Sequence, residues 1–218
     1  MYLKRLEVVM ERRAFYIHFE GMDLAGKTTA TRNFIEATGR EWDVRRNSVV
    51  LHNPIYLLAD TLRRADAYDA EVLGNLYVAA LMADIRSFNW PTADTIQDST
   101  IILRSLSYHA VRGTSRIVQV FEDLLSYHPK FDASFVFTAS LKVRLARLEE
   151  RSLRQPEQVS PEDLFVRDKP EKFLAMEEVL VSLSQKYFHS VVVDTSEMTP
   201  SEVVQRILQR LPAPIGPA

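Results

Sequence analysis

The 218-residue chain contains no cysteine. That excludes disulfides, thiolate zinc sites and cysteine nucleophiles together, and it fits a reducing compartment. Long apolar runs are also missing. None approaches the roughly 18 residues needed to cross a bilayer. The stretch from Met1 to Glu20 carries charges where a signal peptide needs its apolar segment, so a cytoplasmic setting is expected. An excess of either charge is missing too: 27 Lys and Arg stand against 29 Asp and Glu, giving a net charge of −2. No global basic field exists to hold nucleic acid or an anionic membrane. There is no internal repeat and no low-complexity tract. What is present is an ordinary globular composition, 46% hydrophobic and 26% charged, with a length that suits one domain carrying insertions. The expected division is an N-terminal extension over 1–13, one domain over 14–211 and a Pro-rich tail over 212–218.

Along that domain, short apolar runs alternate with helical patterns. Strands are expected at Ala14–Phe19, Ser48–His52, Thr100–Leu103, Ser134–Phe137 and Val191–Val193. Helices are expected at Lys27–Ala37, Tyr56–Ala67, Ala70–Phe88, Ser115–Tyr127, Leu141–Arg151 and Glu171–Phe188. The polar, proline-bearing stretch Ser152–Lys169 reads as a mobile loop. A last helix is announced by Thr199 as cap, Pro200 in the first helical position and Glu202 three residues after the cap. The alternation predicts an α/β fold, a parallel sheet with helices on both faces. Ligands in such sheets bind at the carboxyl ends of the strands.

Directly after the first strand stands Gly21-Met22-Asp23-Leu24-Ala25-Gly26-Lys27-Thr28. It matches the phosphate-binding pattern G-x-x-x-x-G-K-S/T at every fixed position. Glycines let the backbone approach a phosphate closely. Successive amides and the N-terminus of the following helix then point at the anion. Lys27 adds charge at the β- and γ-phosphates, and the Thr28 hydroxyl can ligate Mg²⁺. ATP with Mg²⁺ is therefore the expected ligand of Gly21–Thr29.

From Phe19 to Thr29 the sequence resembles the thymidylate kinase family, which reads F-E-G-x-D-x-x-G-K-S/T-T here. Weaker similarity extends over most of the chain. It includes Asn53-Pro54, the helix ending Met82-Ala83-Asp84-Ile85-Arg86, the region from Thr138 through Arg151 to Phe173, and Val193-Asp194-Thr195 with Thr199-Pro200. The resemblance implies the P-loop kinase fold, with a five-stranded parallel sheet and a lid at about 148–169. It implies transfer of the ATP γ-phosphoryl group to a small acceptor, usually a nucleoside monophosphate, and suggests a homodimer. Arg104 would contact the acceptor phosphate, Asn53 and Arg86 would lie at the acceptor, and Asp23 would contact an acceptor hydroxyl or position the attacking group. The family splits by whether a catalytic arginine lives in the phosphate loop or the lid. Leu24 occupies the loop position, so the lid must supply it through Arg147 or Arg151.

One departure stands out. Where the family has Asp-Arg-Tyr (or Phe or His) after the third strand, this chain reads Leu103-Arg104-Ser105. A deoxynucleoside kinase family carries Glu-Arg-Ser there. Asp23 is the favoured compensating carboxylate, with Asp98 and Asp84 the nearest others by sequence. The glycine-rich segment that follows the second strand in many bacterial thymidylate kinases is replaced by Ile55-Tyr56-Leu57. Three functional classes follow: a nucleoside monophosphate kinase, a kinase of a nucleoside or other small metabolite, and a nucleotide-binding regulatory protein. A GTPase switch lacks its N-K-x-D motif. The five histidines share no ligand spacing, and His18 reads as a core residue. Tyr56 and Tyr108 lie just beyond strand ends.

Overall fold

The computed structural model describes residues 14–212; the N-terminal extension and nearly all of the tail lie outside them. Five parallel strands form one sheet in the order β2-β3-β1-β4-β5. They are β1 (Tyr16–Gly21), β2 (Asp43–Arg46), β3 (Thr95–Asp98), β4 (Ala133–Thr138) and β5 (Val191–Asp194). Nine α-helices connect and flank them among the described residues: α1 (Lys27–Thr38), α2 (Pro54–Arg64), α3 (Ala70–Ser87), α4 (Ile101–Arg112), α5 (Ser115–Leu125), α6 (Leu141–Arg154), α7 (Pro161–Asp168), α8 (Pro170–Phe188) and α9 (Pro200–Leu208). The register pairs Phe19 with Asp98, Gly21 with Phe137 and Thr138 with Asp194. Gly21, Asp98 and Thr138 therefore end at one edge of the sheet.

Two apolar layers hold the sheet. On one face Phe19, Phe34, Phe135, Phe137, Val203 and Ile207 pack α1 and α9 against it. On the other, Leu81, Ile102, Leu106, Phe121, Phe173 and Leu180 join α3, α4, α5 and α8. Each fully buried phenylalanine contributes about 1.5–3 kcal/mol by area removed from water. The closing helix forms as expected: Thr199 and Glu202 make a reciprocal capping box with Pro200 behind it.

Two strands lie elsewhere than expected. β2 is Asp43–Arg46, not Ser48–His52. It is an edge strand, exposed and charged, so it has no apolar signature. The apolar Ser48-Val49 segment is instead a loop held by buried Asp84, which accepts from Ser48 Oγ at 2.7 Å and from the Val49 amide at 2.9 Å. Likewise β3 is Thr95–Asp98, not Thr100–Leu103. Its polar residues are buried because they are satisfied; Gln97, for one, accepts from Tyr16 Oη and donates to the Ser99 carbonyl. The apolar Ile101-Ile102-Leu103 run opens α4, capped by Thr100. A short apolar run of this kind is equally a strand or a buried helical turn. The stretch Ser152–Lys169 is not a loop either. It holds the last turn of α6, a 3₁₀ turn at Pro156–Gln158 and α7, whose N-terminus carries a Ser160–Asp163 capping box and Pro161. That S-P-x-D start was present in the sequence as a helix signal.

Candidate functional site

The loop between β1 and α1 is shaped by two glycines. A Cβ on Gly21 would lie 2.6 Å from the Phe137 carbonyl oxygen, so only glycine permits the β1–β4 approach there. Gly26 caps α1 in the left-handed region at φ 85°, a conformation costly for other residues. No side chain caps α1 and its first turn holds no acidic residue. Its leading amides are left without intrahelical acceptors, at the positive end of the helix dipole.

The carbonyls from Gly21 to Ala25 are all engaged, four of them from outside the loop. Gly21 O accepts from Arg104 Nη2 at 2.5 Å, and Met22 O accepts from the Ala25 amide at 3.3 Å. Asp23 O accepts from Arg144 Nη1. Leu24 O accepts from Arg147 Nη1 at 2.8 Å, and Ala25 O accepts from the Thr195 hydroxyl at 2.9 Å. With these carbonyls held, the peptide planes stay fixed around a cradle of amides, the arrangement that binds an anion. Leu24 itself sits at φ 62°, a strained conformation of the kind that gathers at functional sites.

Lys27 opens α1 and reaches the end of β3. Its Nζ lies 2.5 Å from Asp98 Oδ1 and donates to Ser99 Oγ. Asp98 therefore stands at the strand end where sequence reasoning had placed Leu103. The carboxylate is present, five residues earlier in sequence, and Leu103 is a buried residue of α4. Asp23 is not required to replace it. Thr28 is exposed in the first turn, and with Asp98 it lines one open groove beside α1 and β2.

Arg104 sits in the first turns of α4 rather than after a strand. Its Nε pairs with Glu20 Oε1 at 3.0 Å, Nη2 donates to Gly21 O and to Ser99 Oγ at 3.2 Å, and Nη1 lies 4.0 Å from Asp23 Oδ2. Glu20 is fully buried and also accepts from the amides of Gly21 and Thr100. Burial alone would raise its carboxyl, but Arg104, His18 and Lys27 together hold it far below the ordinary carboxylate range. His18 donates or accepts at Nδ1 with Ser134 Oγ, 2.8 Å away, inside the core. Burial pushes its imidazole down.

The α6 arginines divide by role. Arg144 is fully buried, holding Ala139 O, Asp23 O and Glu177. Burial lowers its guanidinium and Glu177 opposes that. No spacing in the sequence singles it out from its neighbours. Arg147 holds Leu24 O and both the hydroxyl and carbonyl of Thr195. Arg151 Nη1 lies 2.9 Å from both Asp163 oxygens, so of the two it is Arg147 that reaches the β1–α1 loop. Arg154 makes only a surface pair with Glu150.

Two residues expected at the acceptor are placed otherwise. Asn53 is buried as the cap of α2. Its amide nitrogen donates to Ala80 O and Asp84 Oδ1, and its oxygen accepts from the Tyr56 amide, which leaves it a structural clamp. Arg86 is exposed in the last turn of α3. That helix leads to Asp94, which accepts from the Phe15 amide at the amino end of β1, so Arg86 lies toward the opposite edge of the sheet. Asp84, offered as a substitute carboxylate, is buried with Ser48, Val49 and Asn53; burial raises its carboxyl while these three bonds oppose the rise. Tyr56 does border the site, its hydroxyl accepting from Asn47 Nδ2 at 2.7 Å. Tyr108 instead stacks with Arg112.

The chain matches no protein-family model and no curated protein. Its fold has clear counterparts among solved structures. A thymidylate kinase from Candida albicans superposes with a TM-score of 0.64 at 16% identity, covering 90% of each chain. A thymidylate kinase from Ehrlichia chaffeensis gives 0.58 at 16% identity, over 91% of this chain and 98% of that one. A deoxyadenosine kinase from M. mycoides, solved with bound dATP, gives 0.55 at 16% identity, over 90% and 98%. The fold is thus the P-loop kinase fold expected from the sequence. No helix among the described residues is long and apolar enough to cross a membrane.

Proposed function

We propose that the protein is a P-loop kinase that transfers the γ-phosphoryl group of ATP to a small acceptor of the nucleotide class, a nucleoside monophosphate in the first instance. The observation that carries this reading is the loop whose carbonyls from Gly21 to Ala25 are all engaged, that of Met22 within the loop and the other four by side chains from outside it. That leaves its amides and the start of α1 for the phosphates. The fold neighbours, thymidylate and deoxyadenosine kinases by name, support the same class of acceptor.

In this reading Lys27 leaves Asp98 for the β- and γ-phosphates, as a point charge on a flexible stem. The residues it leaves fit Mg²⁺. The exposed Thr28 hydroxyl and the Asp98 carboxylate offer hard oxygen atoms, and Asp98 Oδ1, paired with Lys27 at 2.5 Å, would be released to a cation when Lys27 turns to the phosphates. The metal would neutralise charge developing on the β- and γ-phosphates. Arg147 braces the loop so that the amides need no reorganisation as charge moves, which is the larger part of phosphoryl-transfer catalysis. Arg104 Nη1 has only weak partners, Met22 Sδ at 3.8 Å and Asp23 Oδ2 at 4.0 Å, and is the nitrogen that could turn to an acceptor.

That same nitrogen supports a second reading. Asp23 lies 4.0 Å from it, and an acceptor phosphate would have to compete with that carboxylate. A neutral nucleoside hydroxyl would not, and Asp23 could take its proton. A screen of nucleosides and nucleoside monophosphates with ATP and Mg²⁺ separates the two. Turnover of monophosphates alone supports the first reading, and turnover of nucleosides alone supports the second. ATP bound without turnover of either class points to a regulatory protein.

A further inference from the structure

Helix α2 leads from the end of β2, whereas α7 lies between α6 and α8 on the other side of the loop. An ion pair joins them. Arg63 Nη1 donates to Glu162 Oε1 at 2.7 Å, over 99 residues of sequence. The rest of the Arg63 fork is held on its own helix, with Nε and Nη2 at 3.2 and 3.0 Å from Asp60 Oδ1. Glu162 lies in the first turn of α7 beside Asp163. Asp163 is buried, closes the capping box of that helix and takes Arg151 on both oxygens. Arg151 is one turn along α6 from Arg147, which holds the Leu24 carbonyl. Side chains of both regions pack on one core with Met22 and Leu24: Tyr56 of α2 and Tyr77 of α3, and Leu164 and Phe165 of α7.

The geometry points to a clasp. Arg63 and Glu162 are positioning residues that couple α2 to the phosphate loop, through Asp163, Arg151 and Arg147. The side-chain links are Arg63–Glu162, Arg151–Asp163 and Arg147–Leu24, and the helical turns of α6 and α7 join them. The pairing lowers the Glu162 carboxyl and raises the Arg63 guanidinium, against the effect of burial on each. Half-exposed and on rigid helices, the pair can open and close without disturbing a core. Its meaning for catalysis rests on the phosphotransferase reading, because it would pass the state of the nucleotide loop to the helix facing the acceptor. The contact itself does not depend on that reading.

The test is amide hydrogen exchange on the full chain, with and without Mg²⁺ and a non-hydrolysable ATP analogue. Glu162→Gln and Arg63→Gln should each speed exchange across α7 by about two- to fivefold, the scale of a partly exposed ion pair. The double variant should do no more than either single one, and the swap Arg63→Glu with Glu162→Arg should restore protection. In the natural chain the analogue should also slow exchange in the last turn of α2. In Glu162→Gln that slowing should vanish while analogue affinity stays within about twofold, which a merely structural contact would not produce. Unchanged exchange in α7, additive effects of the two variants, or slowing in α2 that survives Glu162→Gln would each overturn the clasp. If the analogue does not bind the natural chain, the phosphotransferase reading fails, and the ligand-free comparison and the swap still decide whether the pair holds α7.

Discussion

Lys27 and Asp98, 71 residues apart in sequence, meet at 2.5 Å where β3 ends against the first turn of α1. Each is the other's counterion, and in the proposed function a nucleotide separates them. Lys27→Ala should therefore weaken ATP binding by about 1.5–3 kcal/mol, the worth of a charge-assisted contact. Asp98→Asn should act in the opposite sense without metal, because Lys27 is released, and should remove most of the tightening that Mg²⁺ brings. Calorimetric titration of ATP with and without Mg²⁺ reads both. Equal affinities in all three proteins would remove the site.

Glu20 and Arg104 are a second pair, and here burial sets the size of the effect. Glu20→Gln leaves the Arg104 guanidinium among carbonyls with no anion fully buried beside it. Breaking a buried pair from one side costs about 3–5 kcal/mol, visible as a lowered midpoint in urea unfolding. The pH dependence follows from the direction of the shift. The folded carboxyl is held well below its ordinary value, so its stabilisation is complete above the ordinary glutamate range and is lost as pH falls through and below it. Glu20→Gln should flatten that acid limb. A limb unchanged in slope would mean another carboxylate carries it.

Histidines give a separate limb nearer neutrality. Burial lowers His18 and His109, and lowers His128 to about 3. These rings are neutral in the fold and titrate near pH 6.5 when unfolded. The unfolded chain then binds the extra protons, so stability falls as pH drops below about 6.5, by about 1.4 kcal/mol per pH unit for each histidine. For His128 the loss runs down to about 3. Its ring lies among Phe131 and Phe188, so His128→Phe should keep the packing and remove one histidine's share of the slope. Urea unfolding at pH 7 and pH 5 measures the difference.

Much of this site was legible in the sequence, and the physical reasons differ by residue. The phosphate loop could be read because its backbone demands glycine at Gly21 and Gly26, and few residues substitute. The closing helix could be read because a capping box is local. β2 could not, because an exposed edge strand of charged residues carries no apolar alternation. β3 could not, because Gln97 is buried through hydrogen bonds rather than hydrophobicity. That single misplacement moved the strand end from Asp98 to Leu103 and made a present carboxylate look absent. Asn53 reads as an acceptor residue, and Asp84 as a substitute carboxylate, because a buried polar network and a binding site use the same residue types.

Arg144 is the residue on which sequence and structure differ most, and it offers a way to separate stability from binding. Its side chain is fully buried, pairs with Glu177 and donates to the carbonyl of Asp23. Arg144→Met leaves Glu177 as an unpaired, largely buried carboxylate, and the fold should lose about 3–5 kcal/mol. Adding Glu177→Leu removes the orphaned charge. Replacing a buried pair by apolar side chains of similar volume is often close to neutral, so the double variant should recover most of the stability in urea unfolding. The Asp23 carbonyl is without its donor in both proteins. That peptide plane is then free to turn, and the cradle of amides is no longer fixed before the phosphate arrives. ATP affinity should therefore stay weakened in the double variant, by the scale of one charge-assisted hydrogen bond, about 1.5–3 kcal/mol. If affinity returns together with stability, Arg144 acts on the loop only by keeping the protein folded, and the outward hold on the Asp23 carbonyl has no part in binding.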